Sequence, residues 1–512
     1  MRFSFQNLHP DNPLHDFYYF KPYAMFYFAL CNSKLDMKIR IILTVAIIAL
    51  ANIVQAQSIC NCSEALDKLV NKIEAEYPGF EEKTRDKVLY DGFKRQLSEQ
   101  AGNSANTTCF EVLKKFTSFF RDGHIWIYPA TATSAKGTGN TKMAGIDIEK
   151  FKMGLEATKA PLEGVWKNSF EWTGGAGYEI GVTKDSNGIQ IGFVISSTSA
   201  FWKPNETKFR LYPDGRYEFY TFDKQLKTGS YEIYKDAIVY FRDARATFVK
   251  EVPHSDLTTQ QIMRKVGELY GFGLKKISGK TALLTLPSFD YPFVELIGDL
   301  MASNRSIMTS KNLIIDIRGN SGGTDNAYEM LFPYIITNPI RNMGVEYLAT
   351  QTLVNGLEGY IKTVRNTKGK QGEIDTVRRW IGLYEKNMGK FVNLKDSSFS
   401  IQTVAPLKRS PKQVVILTDK RVGSAAESFV MKVKQSKKVK VFGTVTSGGL
   451  DYAAARMFDF GCPEFLLQLP TYRSLRLPDY PIDNIGMQPD IYLDKSTGDW
   501  VKFALDYLEH KR

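Results

Sequence analysis

Leu313-Ile314-Ile315-Asp316-Ile317-Arg318-Gly319-Asn320-Ser321-Gly322-Gly323 is the stretch whose reading decides the fold. An apolar strand runs straight into a Gly-rich turn, and a helical pattern over 324–335 follows. Glycines in such a turn let backbone N–H groups approach a ligand, and a helix N-terminus favours negative charge. The turn suits an anion or an oxyanion. It does not suit a phosphate P-loop, because no Gly-Lys-Ser/Thr follows. A plain strand-to-helix turn would read the same way.

The same alternation extends in both directions. Strands are predicted at 281–286, 312–317, 413–417, 439–442 and 464–469. Helices are predicted at 259–270, 291–309, 324–335, 424–435 and 499–509. Strand–helix alternation of this kind predicts an α/β layer with a partly parallel sheet over 255–512. A polar insertion at 338–407, with a helical stretch at 374–387, reads either as a lid or as a surface excursion.

Ahead of the α/β region the period changes. From 164 to 252, short alternating runs such as Tyr178-Glu-Ile-Gly-Val and Arg216-Tyr-Glu-Phe-Tyr are separated by Ser186-Asn187-Gly188, Pro213-Asp214-Gly215 and Lys235-Asp236. Strands at that spacing predict an antiparallel β-barrel or sandwich over 155–253. Residues 128–155, rich in Ala, Thr, Gly and Lys, read as a linker. Residues 57–128 read as a small helical cap, with helices at 64–76, 82–100 and 108–120. The cap ends in Asp122-Gly123-His124 and an alternating strand.

At the N-terminus, Met37-Lys38-Ile39-Arg40 precedes an apolar run of about 15 residues, short of the roughly 20 that span a bilayer. With Ala56 closing it, 37–56 reads as a signal peptide cleaved after Ala56, and 1–36 as a non-native extension from an upstream start. The protein is therefore expected to be exported, to the periplasm or the extracellular space, with envelope association left open. Cys60, Cys62, Cys109 and Cys462 remain after cleavage, and export permits disulfides. Cys109 is expected to bridge to Cys60 or Cys62.

The chain of 512 residues carries 67 Lys+Arg against 55 Asp+Glu, a net charge of +12. The charge is spread out, with no basic run and no zinc-finger or RNA-binding spacing, so nucleic acid is not an expected partner. No metal or organic cofactor is expected.

Three further clusters bear on chemistry. Val414-Val-Ile-Leu417 leads to Gly423-Ser424-Ala425-Ala426-Glu427. Ser424 and Glu427 fit a capping box. Ser424 also fits a nucleophile at a helix N-terminus, with the Ala425 N–H facing a substrate oxyanion. A serine nucleophile needs a base. Of five histidines, His9 and His15 precede the cleavage site, His510 lies on the tail and His254 sits beside Pro253. His124 is left. Asp483, in Asp483-Asn484-Ile485-Gly486-Met487-Gln488-Pro489-Asp490, is a candidate orienting acid.

Together these segments resemble the C-terminal processing peptidase family of serine peptidases, which includes the tricorn core enzyme and the interphotoreceptor retinoid-binding repeats. The resemblance rests on Asp316-x-Arg318-x-Asn320-x-Gly322-Gly323, on Ser424-Ala-x-Glu427 and on Gly486-x-x-Pro489-Asp490. It implies a crotonase-like core and an oxyanion hole built by Ala425 with Gly322 or Gly323. The lysine base of one branch would fall at position 449, which is Gly. The histidine-using, tricorn-like branch matches His124 instead, with Asp483 in its acid position and Gly123 where a relay serine would stand. No PDZ module is recognisable. The expectation is a serine peptidase acting on a peptide or protein substrate. The alternative is an inactive peptidase-like scaffold that binds a peptide, lipid or sugar.

Overall fold

The computed structural model describes residues 60–105, 108–130, 141–155, 160–171, 177–198, 202–222 and 224–510. The expected extension 1–36 and signal peptide 37–56 lie outside the described residues. Among those described, no helix is long and apolar enough to cross a membrane. The chain forms two units, a large one of 62–345 and 397–512 and a small one containing 346–396.

The large unit opens with helices α1 (Cys62–Glu76), α2 (Lys87–Gly102) and α3 (Cys109–Ser118). Their apolar positions recur at helical spacing, so each buries one stripe: Leu66, Leu69, Val70 and Ile73 on α1, and Val112, Leu113 and Phe116 on α3. The helix expected over 82–100 is broken. Phe80–Lys83 forms one turn, and α2 starts afresh where the Asp86 carboxylate accepts the Leu89 N–H at 2.9 Å. A disulfide joins Cys62 at the head of α1 to Cys109 at the head of α3. Cys60 and Cys462 are disulfide-bonded as well. Strand β1 (Trp126–Pro129) follows. Within the stretch expected as a linker, α4 (Ile148–Gly154) forms behind an Asp147 cap.

The strand-rich segment is a closed antiparallel barrel, not a sandwich. Its strands are β2 (Gly164–Glu171), β3 (Tyr178–Lys184), β4 (Gln190–Ser197), β5 (Thr207–Leu211), β6 (Arg216–Tyr220), β7 (Leu226–Tyr234), β8 (Ile238–Phe241) and β9 (Ala246–Val252). Strand β2 pairs with both β3 and β9, which removes the free edges. The interior is filled by Trp166, Ile180, Val194, Phe209, Phe219, Phe241 and Phe248, so it is a packed core.

The α/β region comprises α5 (Thr259–Tyr270), β10 (Gly273–Lys276), β11 (Thr281–Thr285), α6 (Val294–Ser303), β12 (Asn312–Asp316), β13 (Gln413–Thr418), α7 (Ala425–Val433), β14 (Val439–Gly443), β15 (Arg456–Phe458), β16 (Phe465–Leu469), β17 (Ile491–Tyr492) and α8 (Trp500–His510). Six strands form one sheet in the order β10-β11-β12-β13-β14-β17. Only the β10–β11 pair is antiparallel. All five residues of β12 are buried, as a central parallel strand covered on both faces requires. Two expected helices are interrupted. Asn304 separates α6 from a turn at Arg305–Met308, and the 324–335 segment is two short turns, with Pro333 depriving the second of a donor.

One expected strand belongs elsewhere. Residues 464–469 do not join the parallel sheet. Strand β16 alternates buried and half-buried side chains, and it pairs with β1 and β15 in a separate three-stranded sheet. Alternate burial marks a sheet with one covered face, whereas β12 is buried at every position.

In the small unit, the insertion carries two helices, Gln351–Val364 and Gln371–Lys386, where the sequence suggested one. Val354, Leu357, Tyr360, Ile374, Val377 and Tyr384 form their buried faces. Leu348 pairs with Phe391 and Tyr347 with Val392 across its neck.

Candidate active site

Strands β12 and β13 run side by side with Asp316 opposite Leu417, so the loops after them leave the sheet at the same end. In an open α/β sheet that end is where ligands bind. Arg318 folds back on Asp316 through both ends of its guanidinium, Nε to Oδ1 at 2.8 Å and Nη2 to Oδ2 at 2.5 Å. Gly319 N–H donates to Asp419 Oδ1 at 2.9 Å, tying the two loops together. Asn320 is fully buried. Its Nδ2 donates to the Leu286 carbonyl, and its Oδ1 accepts the Gly322 N–H at 2.9 Å.

Gly322 and Gly323 have φ of +108° and +135°, which L side chains rarely adopt. A Cβ on Gly322 would lie 2.9 Å from both Ser424 Cβ and the Ala425 nitrogen. The Gly-rich loop therefore presses its backbone against the Ser424 turn. This settles which of its amides is available. The Gly322 N–H is committed to Asn320, while among the described residues the Gly323 and Ala425 N–H groups meet no acceptor. Of the two glycines expected as alternative oxyanion donors, Gly322 is the one whose N–H is already bonded.

Ser424 ends the β13 loop and opens α7 with φ +51° and ψ −122°, a strained conformation for a residue with a side chain. Glu427, fully buried, braces it. Its carboxylate accepts the Ser424 N–H at 3.2 Å, the Gly448 N–H at 2.8 Å and the Gly449 N–H at 2.9 Å, together with the Thr446 hydroxyl. The Ser-x-x-Glu spacing had pointed to a helix cap. The tertiary contacts show that the glutamate also ties the serine turn to a loop more than twenty residues further along the chain.

His124 comes from the opposite end of the large unit's sequence. It sits in a tight turn in which Asp122 Oδ1 accepts the His124 backbone N–H at 2.8 Å. Strand β1 then pairs along β16, Trp126 opposite Gln468 and Pro129 opposite Phe465, and the Gln468 amide donates to the His124 carbonyl. The imidazole Nε2 lies 3.2 Å from Ser424 Oγ, across 300 residues of sequence. Its other nitrogen, Nδ1, is buried without a hydrogen-bond partner among the described residues. Asp122 Oδ1 is the carboxylate oxygen within 4.0 Å of it among the described residues, at 3.7 Å and outside hydrogen-bond range.

Among the described residues Asp483, the expected orienting acid, makes no hydrogen bond or ion pair with His124. Its Oδ1 accepts the Leu450 and Asp451 N–H groups at 3.0 and 2.9 Å, and its Oδ2 faces Lys83 Nζ at 3.3 Å. Burial first, and the Asp122 charge second, push its carboxyl up to about 6. Asp490 ties the last strand of the sheet, its Oδ2 accepting the Val441 N–H at 2.7 Å.

A serine hydroxyl on an imidazole, beside two unpaired amides on facing loops, is the constellation of an acyl-transfer hydrolase. Residues 280–493 match the model of peptidase family S41. This α/β region belongs to peptidase family S41. By that match the region is a serine-type peptidase domain, and the family's substrates are peptides or proteins. No curated protein sequence matches the chain. Among solved structures it is similar to mature CPAF complexed with lactacystin, at 13% identity over 88% of this chain and 99% of that one, TM-score 0.47. It is also similar to the photosystem II D1 C-terminal processing protease, at 10% identity over 85% and 94%, TM-score 0.34. The tricorn protease matches at 12% identity over 88% of this chain and 36% of that one, TM-score 0.38.

Gly449 lies beside the pair: a Cβ there would stand 3.9 Å from His124 Cε1, in ordinary van der Waals contact.

Proposed function

We propose that the protein is an exported serine peptidase whose base is His124. Ser424 Oγ attacks the scissile carbonyl as its proton passes to His124 Nε2. The oxyanion is held by the Ala425 and Gly323 N–H groups. The imidazolium then gives the proton to the leaving amine, and water repeats the sequence on the acyl-enzyme. The core is of the crotonase-like kind, with the described part of 57–128 as its helical cap. The observation that carries this reading is the 3.2 Å approach of His124 Nε2 to Ser424 Oγ. Export is supported by the Cys62–Cys109 bridge, since disulfides persist in oxidising compartments.

The test is covalent labelling of the purified protein with a fluorophosphonate, followed by peptide mapping and turnover of an unstructured protein substrate. The wild type is expected to be labelled at Ser424. Labelling should be absent in Ser424→Ala and strongly reduced in His124→Ala, with proteolysis lost in parallel. Absence of labelling in the folded wild type would leave only the alternative, a scaffold that holds a peptide, lipid or sugar.

A further inference from the structure

The Ser424–His124 pair leaves one requirement unmet. For Nε2 to accept the serine proton, the neutral ring must carry its own proton on Nδ1. That N–H is buried, and an unsatisfied buried donor is costly. As Oγ loses its proton the ring becomes a cation, so the group facing Nδ1 sets the stability of the charged state.

We propose that Asp122 is the positioning residue of this enzyme: its carboxylate holds the His124 ring with Nδ1 protonated and stabilises the imidazolium, and Asp483 does not. The inference rests on the Ser424–His124 reading above and goes beyond it. Three observations carry it. Asp122 Oδ1 is 3.7 Å from Nδ1, and catalytic contacts of this kind commonly tighten once substrate is bound. The Asp122 side chain is fully buried and already fixed. Oδ1 accepts the His124 N–H at 2.8 Å, and Oδ2 accepts the Tyr77 hydroxyl at 2.8 Å. Asp483, by contrast, is engaged by two backbone amides and Lys83.

The charges around the pair agree. Burial and the Asp122 charge push the Tyr77 phenol well above its usual range, so it stays a neutral donor. Tyr452, which donates to Glu82 at 3.0 Å, is likewise held neutral by burial. Lys83 sits against Asp483 and over the Tyr452 ring, and the Lys83–Asp483 pair largely cancels. Asp122 is left as the negative charge facing the ring. It keeps its charge throughout: the proton moves from Oγ to Nε2 and then to the leaving amine, and none crosses to the carboxylate.

Asp122→Asn preserves the shape and the acceptor for the His124 N–H while deleting the charge. It is expected to lower kcat by about 10²-fold or more with KM little changed, to slow fluorophosphonate labelling in proportion, and to move the acidic limb of the pH–rate profile to lower pH. Asp483→Asn is expected to leave that limb in place. A purely structural Asp122 would instead lower thermal stability and leave the limb unmoved in the surviving active fraction. Wild-type rates and an unmoved limb in a folded Asp122→Asn protein would overturn the inference, whereas failure to label the wild type would overturn the reading beneath it. If Asp122→Asn does not fold, proton NMR of the phosphonylated wild type decides. A low-field resonance from the ring Nδ1–H, reporting a bond to a carboxylate, is expected, and its absence would overturn the inference.

Discussion

At the scale of single residues, the site depends on close backbone approach. Ser424 is held at a positive φ, which costs on the order of 1–3 kcal/mol and persists only where surrounding contacts over-determine it. The Glu427 carboxylate supplies those contacts by binding the Ser424 N–H and the Gly448 and Gly449 amides at once. Gly322 makes the same point from the facing loop. A methyl there would fall 2.9 Å from the Ala425 nitrogen, over the amide assigned to the oxyanion. Gly322→Ala is therefore expected to lower kcat on the order of 10²–10³-fold, the usual loss for one oxyanion donor. Steady-state kinetics against the wild type checks this, and near-normal kcat would exclude the assignment of Ala425. Of this arithmetic the sequence displayed the glycines and the Ser-x-x-Glu spacing. It could not display that the Gly322 N–H is tied to Asn320 while, among the described residues, the Gly323 N–H meets no acceptor, because that depends on where a buried amide side chain points.

At the scale of elements, two devices bring His124, the proposed base, to Ser424, the proposed nucleophile. One is the β1–β16 pairing, which carries residues 126–129 along 465–468 and sets His124 at the end of the ladder. The other is the disulfide between the heads of α1 and α3, which holds together the helices that lead into the His124 turn. The bridge closes a loop with a sequence separation of 47. Chain-entropy reasoning gives about 4 kcal/mol for a loop of that size. Cys62→Ser is expected to lower the thermal midpoint by several degrees and to reduce activity before global unfolding, since α1–α3 loosen first. Parallel melting curves by circular dichroism and by residual peptidase rate measure both. Coincident curves in the variant would show that these helices do not govern the placement of the base. Element type was mostly legible here, because periods of 3.6 and 2 are written in the apolar spacing. The identity of strand partners was not. Residues 464–469 read as a strand, but nothing local distinguished a place in the parallel sheet from pairing with a strand more than 300 residues earlier.

At the scale of the molecule, buried ionisation links the site to global stability. Asp483 has its carboxyl raised from 3.8 to about 6 by burial and by the Asp122 charge. A folded-state value above the unfolded one means that the native protein binds the extra proton between those two pH values, so stability contributed by this group falls as pH rises through the window from about 4 to 6. The difference in unfolding free energy, wild type minus Asp483→Asn, is expected to increase as pH is lowered from 7 to 4. Its size is on the order of 3 kcal/mol. Denaturant melts of both proteins at those two pH values check the sign, and a pH-independent difference would contradict it. By itself, the sequence determined the succession of helices, barrel strands and α/β units, and the residue types able to attack, accept a proton and approach closely, since these follow from local spacing and side-chain chemistry. The tertiary structure alone decided that His124 meets Ser424, that the Asp122 carboxylate lies 3.7 Å from the second ring nitrogen, and which glycine amide meets no acceptor among the described residues. Those are matters of distance between groups far apart along the chain, fixed by packing and strand register that no local pattern encodes.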